Sequence, residues 1–292
     1  MGICDNRTII VTGSGSGLGR EYALALAAEG ANVAVNDIRL EAAEAVVKEI
    51  EAAGGKAVAA IGDITSMAGA EAIIAATLAR FGNVDGVVNN AGIVRDKMFA
   101  SMSEDDWDAV IRVHLKGHFC LASKLVQRWR DQVKAGEKPQ GRIINTSSGA
   151  GLQGSVGQSN YVAAKGGIAS LTLVQAAELG RYGITVNALA PAARTSMTDG
   201  PFGAMMKAPE DGSFDHYHPG NVAPLVGYLC STLSAGVSGQ VFEVEGGKVS
   251  IANGWKTGTV RNKGARWQPA ELDNTIRALI ASEPPAQKVY GT

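Results

Sequence analysis

The sequence predicts a single α/β domain built on a doubly wound, mainly parallel β-sheet. Three observations point to it. Short β-branched apolar runs recur over about the first 250 residues. In the first half a turn and an Ala-rich segment of helical spacing follow each of the early runs. The runs are near-continuously apolar rather than alternating, as strands are when helices cover both sheet faces. With 292 residues, 46% of them apolar, the chain can bury a sizeable core.

The elements follow in order. Thr8-Ile9-Ile10-Val11 is the first strand, and residues 18–29 form a helix that stops at Gly30. Asn32-Val33-Ala34-Val35 is the second strand, with a helix over 40–53 closed by Gly54-Gly55. Residues 56–61 are the third strand, with a helix reaching Ala79, and residues 84–88 the fourth. Arg142-Ile143-Ile144-Asn145 is the fifth strand, 161–179 a helix, 183–187 the sixth strand and 239–244 the last. Residues 131–140 read as a polar, solvated insertion. The dinucleotide-type domain spans 1–250; residues 251–292, richer in Arg, Lys, Pro and Trp, form a C-terminal extension.

Composition narrows the function. The 27 Lys and Arg against 28 Asp and Glu leave a net charge of −1, which disfavours a nucleic-acid partner. No apolar run reaches a membrane span and no secretory signal precedes the first strand, so no membrane association and a cytoplasmic location are expected. Cys4, Cys120 and Cys230 are far apart and read as free thiols. His216 and His218 lack the carboxylate or Cys company of a metal site, so no metal is expected.

Thr12-Gly13-Ser14-Gly15-Ser16-Gly17-Leu18-Gly19 joins the first strand to the first helix. Glycines there permit a tight turn and close backbone approach, and the helix start offers N–H groups and a positive dipole end to a pyrophosphate. Gly13, Ser16, Gly17, Leu18 and Gly19 are therefore candidate cofactor contacts, although the spacing is Gly-x-x-x-Gly-x-Gly. Asp37, at the end of the second strand, can accept from ribose hydroxyls and repels a 2′-phosphate, which favours NAD. Arg39 close by keeps NADP as an alternative.

Tyr161 and Lys165 are one helical turn apart and leave the same helix face. A close ammonium together with the positive nicotinamide of an oxidised cofactor favours the phenolate, which would make Tyr161 a usable base. Ser148, just after the fifth strand, can face the same cleft and hydrogen-bond a substrate oxygen.

These residues, with Asn89-Asn90-Ala91-Gly92, resemble the short-chain dehydrogenase/reductase family over about residues 5–250. The resemblance implies a Rossmann-like fold with a seven-stranded parallel sheet, hydride transfer between nicotinamide and a hydroxyl or carbonyl carbon, and a homodimer or homotetramer. It implies Tyr161 as acid/base, Lys165 on the nicotinamide ribose, and Ser148 orienting the substrate. Asp63 and Ile64 would border the adenine, with Asn90, Ala91 and Gly92 on the cofactor floor. The phrases Val113-His114-Leu115-Lys116-Gly117-His118-Phe119 and Asn221-Val222-Ala223-Pro224 resemble a narrower branch. It comprises the (3R)-hydroxyacyl-CoA dehydrogenase domains of multifunctional enzyme type 2 and their bacterial stand-alone relatives. The implied substrate is then a 3-hydroxyacyl-CoA thioester. A 3-ketoacyl carrier-protein reductase, a 17β-hydroxysteroid dehydrogenase and a catalytically silent dinucleotide-binding sensor are the alternatives.

The chain departs from the family pattern in two places. His114 stands where most members have an Asn that supports the lysine through its carbonyl, so His114 takes a supporting place in the catalytic set. Pro191-Ala192 replaces Pro-Gly, and either Thr195 or Ser196 would meet the carboxamide. Met197, Phe202, Met205, Met206 and Phe214 read as an apolar lid over the substrate, or as ordinary loop packing.

Overall fold

The computed structural model describes residues 2–195, 197–198, 203, 206–285 and 287–292. The expected alternation is present: β1 (Thr8–Thr12), α1 (Gly17–Ala28), β2 (Asn32–Asn36), α2 (Leu40–Ala52), β3 (Lys56–Ala59), α3 (Met67–Phe81) and β4 (Gly86–Asn89). Then follow α4 (Glu104–Ile111), α5 (Gly117–Lys134), β5 (Arg142–Thr146), α6 (Gly149–Gln153), α7 (Ser159–Leu179) and β6 (Thr185–Ala192). The chain ends with α8 (Ala223–Cys230), β7 (Val241–Glu245), β8 (Lys248–Ile251) and α9 (Leu272–Ser282).

The strand order is β3-β2-β1-β4-β5-β6-β7-β8. Every neighbouring pair from β3 to β7 is parallel, and β8 adds to β7 antiparallel. The sheet thus has one strand more than the seven expected. Gly246-Gly247 turns the chain back on itself, and the edge strand it adds is exposed throughout.

Side-chain alternation splits the core across the sheet. Ile9 and Val11 of β1, Val33 and Val35 of β2, Val88 and Ile144 face Tyr22, Leu26, Val46, Ile50 and Leu229 from α1, α2 and α8. Ile10, Ala34, Val87 and Ile143 face Ile73, Leu121, Leu125 and Trp129 from α3 and α5. Both faces are covered, which is why the strands read as continuously apolar.

Local chemistry sets the helix ends. Ser66 accepts from the Gly69 N–H to start α3, and Gly82, at φ 78°, ends it in the left-handed conformation. The polar segment read as a loop from residue 131 is helical as far as Lys134. Trp129 explains the extension: it is 1% exposed, and its indole N–H donates to the Val84 carbonyl at 2.9 Å, which holds this end of α5 on the sheet.

Among the described residues no helix is long and apolar enough to cross a membrane. Cys4, Cys120 and Cys230 are buried free thiols. Truncating Trp129 to Ala removes both the packing and the indole bond, and should cost about 3–5 kcal/mol of stability, read as a lowered urea midpoint.

Candidate active site

Two neighbouring strands whose connections leave in opposite directions open a crevice at their carboxyl ends. Here that point lies between β1 and β4. The glycine turn fills it. Gly13 has φ 61°, and a Cβ there would fall 2.7 Å from the Ala91 Cα. A Cβ on Gly19 would fall 2.3 Å from the Gly13 carbonyl oxygen. Only glycine lets β1, the turn and the segment after β4 come this close. Asn90 braces the turn: its side-chain amide donates to the Thr12 carbonyl at 3.0 Å, and the Thr12 hydroxyl accepts the N–H groups of Asn90 and Ala91.

Beyond the turn, α1 starts with its N–H groups uncapped by a side chain. Ser16 is the N-cap residue, yet its hydroxyl makes no capping bond, and no acid occupies the first turn. A Cβ built on exposed Gly17 would meet nothing nearer than the Thr195 side chain at 3.8 Å. An open cradle of backbone donors suits a pyrophosphate. Asp37, 8% exposed, accepts from the Gly15 N–H at 3.1 Å through one oxygen and from the Arg39 N–H at 3.0 Å through the other. It therefore stands at the end of β2 against the turn. These residues fit a dinucleotide.

One cleft of about 410 Å³ runs from Leu18 past Ser148 and Tyr161 to Met206, Tyr217 and Tyr290. Pro191, Thr195 and Met197 also border it. Ser148 caps α6, its hydroxyl accepting the Ala150 N–H at 3.2 Å. Tyr161 lies in the first turn of α7, which Asn160 anchors by donating to the carbonyls of Arg95 and Asp106. Burial pushes the Tyr161 phenol above its ordinary pKa, and the hydrogen bond from Ser148 works against that. The helical spacing of Tyr161 and Lys165 predicts an ammonium that favours the phenolate, and burial works against it.

Lys165 stands behind Tyr161, 2% exposed, with Nζ 5.5 Å from the phenol ring centre. Nζ donates to the Thr146 carbonyl at 2.7 Å, and burial pulls its pKa down to about 7. Two imidazoles back this arrangement. His114 sits in a π-helical turn, Arg112–Lys116, between α4 and α5. Burial holds it neutral, with a pKa of about 3. Its Nε2 lies 2.7 Å from the Ile93 carbonyl oxygen, and its ring meets Tyr161 edge-on at 5.2 Å. It packs edge-on against the phenol and is not among the residues that border the cleft.

His118 gave no chemical signal in the sequence beyond its place in a recurring phrase. It is fully enclosed and accepts the Thr146 N–H on Nε2 at 3.2 Å. Burial keeps it neutral. Thr146, whose carbonyl holds Lys165, is thus itself held by His118.

Some expected contacts lie apart from the cleft. Asp63 turns its carboxylate onto Thr65, whose N–H and hydroxyl hold its pKa low. Ile64 is buried beside Gly117. Gly92 presses on His114, where a Cβ would fall 2.3 Å from the ring. Of the lid residues, Met197 and Met206 border the cleft and Phe214 is 64% exposed. Phe202, Met205 and Ser196 lie outside the described residues. His216 pairs with Glu245, and no cluster of metal-ligating side chains occurs among the described residues.

Fold and site together define an oxidoreductase that works with a nicotinamide dinucleotide on a CH–OH group. The chain belongs to the short-chain dehydrogenase family, whose model matches residues 7–204. It is 46% identical to the hydroxyacyl-CoA dehydrogenase ChsB1 of Mycobacterium tuberculosis over 98% of this chain and 92% of that one. It is 42% identical to the mouse peroxisomal multifunctional enzyme type 2, spanning 83% of this chain but only 32% of that protein. A crystal structure of a short chain dehydrogenase from Mycobacterium avium superposes with a TM-score of 0.91, at 51% identity over all of both chains.

The buried amine generates a stability prediction. Below about pH 7 Lys165 is charged in the folded and unfolded states alike, and the folded state carries the desolvation cost in full. Between about 7 and 10.5 the folded state sheds the proton while the unfolded chain keeps it, so stability through this group rises with pH. Lys165→Met should therefore melt a few degrees higher than wild type at about pH 6, with the gap closing towards about pH 10. Scanning calorimetry checks this; an equal gap at both pH values would contradict it.

Proposed function

We propose that this protein is an NAD-dependent dehydrogenase that interconverts a (3R)-3-hydroxyacyl-CoA and its 3-ketoacyl-CoA, with Tyr161 as acid/base. The observation that carries the reading is one cleft running from Leu18, where the glycine turn enters α1, to the Ser148–Tyr161 pair, with a buried amine behind the phenol. The relatives named for hydroxyacyl-CoA dehydrogenase and multifunctional enzyme type 2 activity support the thioester substrate. Asp37 supports NAD over NADP, because a carboxylate at the end of β2 and beside the glycine turn would repel a 2′-phosphate.

The cofactor, when bound, supplies the hydride acceptor. Gly13, Ser16, Gly17, Leu18 and Gly19 hold its phosphates, Asp37 its adenosine ribose, and Thr195 its carboxamide end. Asn90 and Ala91 brace the turn and Pro191 borders the cleft, so these three complete its bed. Ser148 and Tyr161 hydrogen-bond the substrate hydroxyl. Tyr161 takes its proton as the C–H bond gives up a hydride, and Lys165 stabilises the phenolate that must precede this. Because burial raises the phenol pKa, oxidation should quicken with rising pH and ketone reduction should slow.

A 3-oxoacyl carrier-protein reductase is the second reading, favoured by 40% identity to such a reductase of Synechocystis over 82% of this chain. The two buried-face helices also carry exposed apolar residues, Phe119 on α5 with Leu173 and Val174 on α7, which support a homodimer or homotetramer. The three free thiols suit a reducing cytoplasm.

Tyr161→Phe removes only the transferable proton, so kcat for thioester oxidation should fall about 10²–10⁴-fold while NADH affinity holds. Stopped-flow absorbance and fluorescence titration of NADH measure the two, and unchanged turnover would overturn the mechanism. Asp37→Ala should raise the NADPH/NADH ratio of kcat/KM in ketone reduction by about tenfold or more. A wild-type enzyme that already prefers NADPH, with the carrier-protein thioester, would select the second reading.

A further inference from the structure

After α9 the chain returns to the active site. We infer that the C-terminal segment, residues 287–292, is a wall of the substrate cleft and that Tyr290 is a specificity-determining residue. The inference rests on the proposed function only for the class of substrate.

The segment is seated by its backbone. The Tyr290 N–H donates to the Gly154 carbonyl at 3.1 Å, and the Tyr290 carbonyl accepts the Val156 N–H at 2.9 Å. This is one parallel bridge, Ser155 to Tyr290. The Thr292 hydroxyl closes a turn onto the Val289 carbonyl at 2.9 Å. The valine packs where a Cβ on Gly154 would fall 3.3 Å from it. The loop that receives the tail joins α6 to α7, so it lies between Ser148 and Tyr161 in the chain.

The phenol of Tyr290 reaches the reacting end of the cleft. A Cβ on Gly149, the residue after Ser148, would lie 2.9 Å from its hydroxyl oxygen. Tyr290 borders the cleft together with Ser148, Tyr161, Met206 and Tyr217. Glu243 and Glu245 face it from β7, and burial with these carboxylates keeps the phenol protonated.

Core packing does not account for the seat. Tyr290 is 41% exposed, and α9, which precedes the tail, buries no residue. The chain leaves the body of the protein after β8 and comes back to it at the cleft. A ring held on backbone hydrogen bonds beside the catalytic serine limits what can lie beyond the reacting carbon, in a space of about 410 Å³.

The test compares kcat/KM for (3R)-3-hydroxybutyryl-CoA and (3R)-3-hydroxypalmitoyl-CoA. Tyr290→Ala, and deletion of residues 287–292, should each raise the long-to-short ratio about tenfold, the scale on which a pocket contact discriminates, with NAD affinity unchanged. Tyr290→Trp should lower the ratio. An unchanged ratio, or an equal loss on both thioesters, would overturn the inference, the second outcome marking the tail as a brace for the loop alone. A second measurement needs no substrate. The Val156 N–H donates to the Tyr290 carbonyl, so it should be protected from amide exchange in the wild-type protein and lose that protection when residues 287–292 are deleted. Equal exchange at Val156 in the two proteins, read by NMR, would show that the tail is not seated. Wild-type enzyme inert on both thioesters would refute the substrate class, and the exchange of Val156 would still decide the seat.

Discussion

A buried amine with a single carbonyl partner is the constraint around which this site is arranged. Lys165 sits in the second turn of α7, and its Nζ meets the carbonyl of Thr146 at the very end of β5. An ammonium out of water is costly, and each additional cation nearby raises that cost. The neighbours obey this. His114 and His118 are both held neutral, with the charge of Lys165 adding to the effect of burial on each. The Thr146 carbonyl cannot drift from the amine, because its own N–H is bound to His118. The amine, strand end and imidazole therefore set one another's places before any ligand arrives.

The same logic extends down the sheet. Asn89 and Asn145 are register partners on β4 and β5, and their side-chain amides bond to each other at 3.0 Å. Asn145 continues to Thr172 and Gln175 on α7. Buried polar groups tolerate no slippage once each has a partner. This ladder fixes the height of α7 against the strand ends, which is what places Tyr161 and Ser148 in one cleft. At the other side, Asn90 and Thr12 hold the glycine turn by equivalent bonds. The two halves of the cleft are thus positioned by amide side chains just below its floor.

Most of this was legible in the sequence, for a physical reason. A strand covered on both faces must be apolar throughout, and a turn that approaches a phosphate must be glycine, so both leave composition as a trace. Tyr161 and Lys165 were legible because helical spacing alone puts them on one face. What escaped has no local trace. The π-helical turn at Arg112–Lys116 depends on how α4 meets α5 rather than on its own residues. His118 acts on a backbone amide of β5, 28 residues away in the chain. β8 is a short exposed edge, invisible to a search for buried runs. The place of residues 287–292 is a tertiary fact, since backbone hydrogen bonds to a distant loop require no particular side chains.

This division bears on how one scaffold serves different alcohols. The family match ends at residue 204, and the glycine turn, Ser148, Tyr161 and Lys165 all lie before that point. The cleft also takes walls from later in the chain, Met206, Tyr217, Glu243, Glu245 and Tyr290, beside Val94, Ser155, Gln158, Met197 and Thr198 from before that point. The chemistry needs its groups fixed within fractions of an ångström, which only the sheet and its polar pins provide. Recognition of what lies beyond the reacting carbon needs shape alone, and loops or tails can supply shape without disturbing the pins. Two proteins can therefore share the proton chemistry while differing in the segment that bounds the substrate, and the catalytic residues by themselves do not specify which alcohol is bound.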